Sequence, residues 1–216
     1  SRKGAKFEKF LKMEQKKNEP GTKRGTEYPE KYYMRKHIAT EQVYGIDIQQ
    51  HPTNIAIIRL WFYVVASLPK QTLKNLLVSC WEDDKTKLIH IGPMEFNVKQ
   101  GNTLVGYPTV DKLQGEKKTD QSLCDHVSEF VEKKYKISIS EELWRDKKPF
   151  HWKNEFAPVF DNGGFDVIVG NPPYLNNKKM DVINKRIYKA LGFRAAYKLY
   201  DLSVLFIERS LQLLRE

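Results

Sequence analysis

Asn171-Pro172-Pro173-Tyr174 joins residue types that can act together on one substrate group. The Asn side chain offers an amide oxygen as acceptor. The prolines fix φ and stiffen the backbone between that acceptor and the flat ring of the Tyr. A fixed acceptor beside a flat face suits a planar group carrying an exocyclic amine. A second reading is a rigid strand-ending turn whose Tyr fills a core gap, and four residues alone leave both open. Asp47, within Tyr44-Gly45-Ile46-Asp47-Ile48, is the next candidate. An acid ending a strand in a nucleotide-type α/β fold accepts hydrogen bonds from ribose hydroxyls; an Asp ahead of a helix also caps it. Third is Gly101-Asn102-Thr103, where the glycine leaves room for a ligand and the Asn can accept from it. A plain Gly-Asn turn ending a strand fits the same residues.

These residues need elements to hold them. Phe165-Asp166-Val167-Ile168-Val169-Gly170 is short and rich in β-branched residues, so it reads as a buried strand of a parallel sheet. The prolines stop it, leaving a stiff loop at its carboxyl end, where open α/β sheets place ligands. Val43 to Ile48 and Phe96 to Gln100 read as two more strands. Between them Pro52 opens a helix through Leu68, expected to pack on the sheet through Ile55, Ile58, Phe62 and Val65. Residues 3–19 read as an amphipathic helix, and Thr22 to Lys36 as a basic, aromatic exposed loop that could touch nucleic acid. Leu73 to Val78 extends helically, and Leu88 to Ile91 is an ambiguous apolar patch. The charged stretch 111–148 lacks a strand signal and includes a helix from Ser122 to Tyr135. Tyr188 to Leu191 and Ala195 to Leu214 read as helices covering the sheet.

Taken in order, these segments resemble the adenine-N6 DNA methyltransferases that use S-adenosylmethionine, of the type fused to a nuclease in restriction-modification enzymes. Phe165 to Tyr174 resembles their catalytic motif, Tyr44 to Ile48 their second cofactor strand, and Asn97 to Leu104 their third. Phe150-His151-Trp152 with Glu155-Phe156 and Val159-Phe160 resembles the lead-in of the fused enzymes, and Asp201 to Glu208 the helix after the catalytic loop. The resemblance implies a Rossmann-like α/β fold, with 111–148 an insertion between sheet strands, and a catalytic loop of Asn171, Pro172, Pro173 and Tyr174. It implies contacts to S-adenosylmethionine from Asp47, Ile48, Asn102 and Thr103, with Asp47 on the ribose and Ile48 on the adenine. Asn102 stands where the family often carries an Asp. Asn171 and the Pro172 carbonyl would accept from the target amine, while Tyr174 would stack on a flipped base.

Composition agrees with that class without selecting it. The 216 residues carry a net charge of +10, which suits a polyanionic partner such as double-stranded DNA, and equally a merely solvated surface. Hydrophobic residues make up 40%, enough for a globular core. Cys80 and Cys124 fit no metal or redox spacing, so no metal site is expected and both read as reduced thiols of a cytoplasmic protein. The longest apolar stretch, Ile55 to Leu68, contains Arg59 and is too short to span a bilayer.

The resemblance is partial. Residues 1–42 read as a helical, basic segment without the Gly-rich first cofactor motif, and 43–216 as a partial catalytic core. The expected missing pieces are that motif or a nuclease upstream and a target-recognition domain downstream. The chain alone is therefore expected to be inactive. Two further functions stay open: methylation of a protein glutamine amide or RNA base amine, and a non-catalytic basic nucleic-acid-binding module.

Overall fold

The computed structural model describes residues 29–74, 94–107 and 119–215. The expectations for residues 3–19, Leu88 to Ile91 and Cys80 lie outside them, as does most of Leu73 to Val78. The chain divides into two units, Ser1–Gly45 with Gln50–Lys99 and Ile46–Gln49 with Gln100–Glu216.

Among the described residues the first unit opens with helix α1 (Glu30–His37), which continues into a π turn at Ile38–Gln42. Strand β1 (Tyr44–Asp47), helix α2 (Gln50–Val65) and strand β2 (Asn97–Gln100) follow, the carboxyl ends of both strands belonging to the second unit. The strands pair, with Gly45 against Val98 and Asp47 O accepting from Gly101 N at 2.8 Å. Both advance in the same direction, so this small sheet is parallel and α2 is its crossover.

Two expectations are corrected here. Tyr32 and Tyr33 do not lie in an exposed loop: they sit on α1 at 2% and 1% exposure, with ring centroids 5.4 Å apart. They form the unit's core with Ala39, Val64, Val65 and Leu68, flanked by Leu60 and Trp61. That partner helix also turns α2. The spacing Trp61, Val64, Val65, Leu68 faces α1, so Ile55, Ile58 and Phe62 are left exposed at 38%, 53% and 57%. Of the expected sheet-facing stripe, only Val65 is buried.

The second unit is mainly helical. Helix α3 (Asp120–Tyr135) opens with a reciprocal cap between Thr119 and Ser122, and α4 (Glu141–Asp146) is capped by Ser140. Two short helices, α5 (Trp152–Glu155) and α6 (Ala157–Phe160), lead to the proline loop. Beyond it stand a 3₁₀ turn (Asn177–Lys179), α7 (Val182–Ala190) and α8 (Leu202–Leu213). Leu123, Val127 and Val131 recur every fourth residue on α3 and share one core with Ile187 and Tyr188 of α7 and Leu205 of α8. The charged stretch 111–148 thus contributes two helices to this core.

The helix expected from Ala195 starts later. Lys198 turns left-handed at φ 52°, and Asp201 caps α8 by accepting from Ser203 N at 3.0 Å. That bond from the Ser203 N–H, with a second from its hydroxyl, holds the Asp201 carboxyl below its ordinary range.

Candidate functional site

The carboxyl ends of β1 and β2 bring the expected cofactor residues together, all within the second unit. Gly101 N donates to Asp47 O, so Asn102 follows directly beside the acid. The Ile48 carbonyl accepts from Gln100 Nε2 and from Lys148 Nζ, each at 3.0 Å. Asp47 Oδ1 accepts from Gln49 N at 2.7 Å, which shapes the entry to α2. Its second oxygen has no recorded partner among the described residues. Ile48 is 47% exposed, and Asn102 Oδ1 accepts from Leu104 N at 3.0 Å, closing an Asx turn. A carboxylate, an exposed aliphatic and an amide in one short reach are chemistry that fits a nucleoside: acceptors for hydroxyls and a face for a flat base. Thr103 enters through its backbone, its carbonyl accepting from Trp152 Nε1 at 3.5 Å.

The segment 148–152 is the template for this turn. Asn102 N donates to Lys148 O and Phe150 N to Val105 O, both at 2.8 Å, and Trp152 N to Tyr107 O at 3.2 Å. The approach is too close for side chains at two glycines. A Cβ on Gly101 would lie 2.5 Å from Phe150 Cδ2. On Gly106, at φ +149°, it would lie 1.9 Å from Phe150 O. Behind the turn runs an aromatic row, with Phe150 5.3 Å from Trp152 and Trp152 5.8 Å from Phe165. The segment 148–152 therefore holds the turn at 101–107 and links it to the start of the proline loop.

Arg209 is the support that sequence reasoning missed. It is 2% exposed on α8, and its Nη2 donates to Leu104 O at 3.2 Å and Gly106 O at 3.1 Å. Its guanidinium lies 4.9 Å from the centre of the Phe193 ring. Burial lowers its pKa to about 10, with Glu208 opposing, so it stays charged at neutral pH. Glu208 is itself engaged, accepting from Arg194 N and Ala195 N at 2.9 Å. The signal was in the sequence: the stripe Leu205, Arg209, Leu213, one residue in four along the buried side of a helix, carries a single cation between two leucines.

The proline loop departs from its expectation. Phe165 to Gly170 is not a buried strand: Val167 is 73% exposed and Val169 91%. Only Phe165 is bridged, in parallel, to Leu214. A strand needs a neighbour for its N–H and C=O groups, and among the described residues none runs beside 167–170. Asn171 and Pro173 are exposed, and Tyr174 is 83% exposed. The chain is caught again at Leu175, whose carbonyl accepts from Leu202 N at 2.9 Å, and at Asn176, bridged to Asp201. Arg215 pairs with Asp166 at 2.6 Å on the other side. The loop thus hangs between the two ends of α8. No hydrogen bond or ring contact is recorded among the described residues between Asn171–Tyr174 and Asp47, Ile48, Asn102 or Thr103.

Among the described residues no His, Cys, Asp or Glu cluster could hold a metal ion, and no helix is long and apolar enough to cross a membrane. The model of the Eco57I restriction-modification methylase family matches residues 41–216. Over 58 residues the chain is 48% identical to the type II restriction enzyme and methyltransferase RM.Eco57I of Escherichia coli, covering 26% of this chain and 6% of that protein. Over 68 residues it is 43% identical to a putative type II restriction enzyme and methyltransferase of Methanocaldococcus jannaschii, covering 32% of this chain and 5% of that protein. No solved structure matches. Both relatives are thus matched over a small part of their own length. The family match takes in the ends of both strands, the turn templated by 148–152 and the proline loop, and the chain belongs to the Eco57I restriction-modification methylase family.

Proposed function

We propose that residues 43–216 are a partial S-adenosylmethionine-dependent methyltransferase core of Rossmann-like type, which in the full-length enzyme methylates N6 of a flipped-out adenine in double-stranded DNA. The observation that carries this reading is the meeting of Asp47 and Ile48 with Gly101–Asn102 at the ends of two parallel strands. Asp47 accepts from ribose hydroxyls, Ile48 packs on the base and Asn102 accepts from its amine. Thr103 supplies backbone to the same turn. When bound, S-adenosylmethionine supplies an electrophilic methyl group and departs as a neutral thioether.

The chain's own work is on the amine. The N6 lone pair of adenine is delocalised into the ring and is a poor nucleophile. The Asn171 amide oxygen and the Pro172 carbonyl accept its two N–H bonds and favour a pyramidal nitrogen with a localised lone pair. As the nitrogen–methyl bond forms and the sulfur–methyl bond breaks, one N6 proton leaves to solvent. Pro172 and Pro173 hold the acceptors rigid, so the stabilisation needs no reorganisation at the moment of reaction. Tyr174 stacks on the extruded base, which cannot be reached inside a duplex. Its exposure leaves the ring face open for that contact.

The test is product identification. Full-length protein, DNA and methyl-labelled cofactor should yield N6-methyladenine, and Asn171→Ala should slow its formation by roughly 10²–10³. Label appearing instead on cytosine N4, RNA or a protein glutamine would overturn the adenine assignment. Tight DNA binding with no transfer would leave a binding module.

A further inference from the structure

Between Leu175 and Tyr200 the chain carries seven Lys or Arg and one acid, Asp181. Asp181 is occupied in capping α7, accepting from Asn184 N at 3.3 Å. Lys178, Lys179, Lys189, Arg194 and Lys198 are exposed, and none has a carboxylate partner among the described residues. Five exposed cations without an ion-pair partner among the described residues call for an external anion.

In the midst of this face stand two large, uncovered side chains. Tyr197 is 67% exposed and Leu199 68%. Their position is built rather than loose. Asn177 N donates to Tyr200 O at 2.9 Å, and Asn177 Nδ2 donates to Lys198 O at 2.7 Å. Lys198, at φ 52°, turns the backbone between the two residues, and its Nζ lies 5.2 Å from the centre of the Tyr197 ring. The bridge from Asn176 to Asp201 sets this knuckle beside the Lys178–Lys179 turn. Tyr174 and Asn177 are three residues apart, so at most about 10 Å of chain separates the ring from this knuckle's anchor.

We propose that the Tyr197–Leu199 knuckle is a wedge that enters the duplex where the target adenine has left, while Lys178, Lys179 and Lys198 hold the flanking phosphates. This rests on the base-flipping reading above. Aliphatic wedges between base steps are a common way to stabilise an opened duplex, and the lysines supply the phosphate contacts that place one. A protein partner would cover the apolar pair but leave the cations without a role.

Two variants of the full-length protein test it, using a labelled duplex that contains the methylated site. Lys178→Ala/Lys179→Ala/Lys198→Ala should lower the slope of log affinity against log salt by about 2–3, at roughly 0.9 per phosphate lost. Tyr197→Ala/Leu199→Ala should cut methylation of the paired duplex by about tenfold, a 1.4 kcal/mol loss. A duplex with an abasic site opposite the target, whose adenine is already unpaired, should regain most of that rate. Unchanged cofactor affinity and melting temperature should accompany both. An unchanged salt slope, or equal loss on both duplexes, overturns the wedge. A parent that leaves adenine unmethylated sinks the base-flipping reading and the wedge with it, a result distinct from either.

Discussion

The turn at residues 101–107 and the loop at 166–174 follow consecutive motifs but are held in opposite ways. The first is pinned along its length by 148–152, by two glycines too close to Phe150 for a side chain, and by Arg209 from behind. The second is fastened at Phe165 and at Leu175–Asn176, with Val169 and Tyr174 largely in solvent between. Under the proposed function, a nucleoside-binding turn gains from being shaped before its ligand arrives, since ordering on binding subtracts from affinity. A loop proposed to accept a base swung out of a duplex needs its face clear.

The sharpest break in that comparison is catalytic. In the full-length enzyme Asn171→Ala should lower the methyl-transfer rate by roughly 10²–10³, as when one preorganised acceptor is lost, while cofactor affinity holds. Asn171→Asp keeps an acceptor of the same shape and should retain measurable activity in a single-turnover assay. On the pinned side, Gly106→Ala should destabilise the fold by about 3 kcal/mol through backbone clash and strain, measured by denaturant unfolding. Asp47→Ala should weaken cofactor binding by about 1–3 kcal/mol and leave DNA affinity unchanged, read by titration calorimetry. Unaltered cofactor affinity would return Asp47 to a turn-forming role.

Arg209→Met should cost cofactor affinity about 1 kcal/mol, the net worth of a hydrogen bond to the turn, and speed hydrogen exchange at Leu104 and Val105. The smallest effect belongs to the open loop. A Cβ on Gly170 meets nothing within 4 Å, so Gly170→Ala should change stability by less than about 0.5 kcal/mol. A larger change would show that this loop is packed as tightly as its counterpart.

The sequence made β1, β2 and the extent of α2 legible because local pattern and chain stops agree there. Ile55, Ile58 and Phe62 misled because a helix buries whichever side meets a partner, and the partner was α1, hidden in a segment whose charges read as loop. Val167 and Val169 misled for a related reason: β-branching encodes suitability for a sheet and carries no information about whether a neighbouring strand is there to pair. The candidate site fared similarly. Asp47 and Asn102 stood out by type and place, whereas the work of Lys148 to Trp152 is done through backbone groups that any residue could supply. Arg209 alone broke the pattern of its own helix.

The two fastenings of the proline loop to α8 have a mechanical consequence. A helix of 12 residues is about 18 Å long and does not shorten under load. The chain from Phe165 to Asn176 can reach nearly twice as far, roughly 36 Å when fully extended. It is therefore a bail hung on a rigid bar, with two prolines stiffening its crown. Such a part moves most freely about the line joining its pivots, and the stiff Pro172–Pro173 crown makes Asn171 and Tyr174 move together.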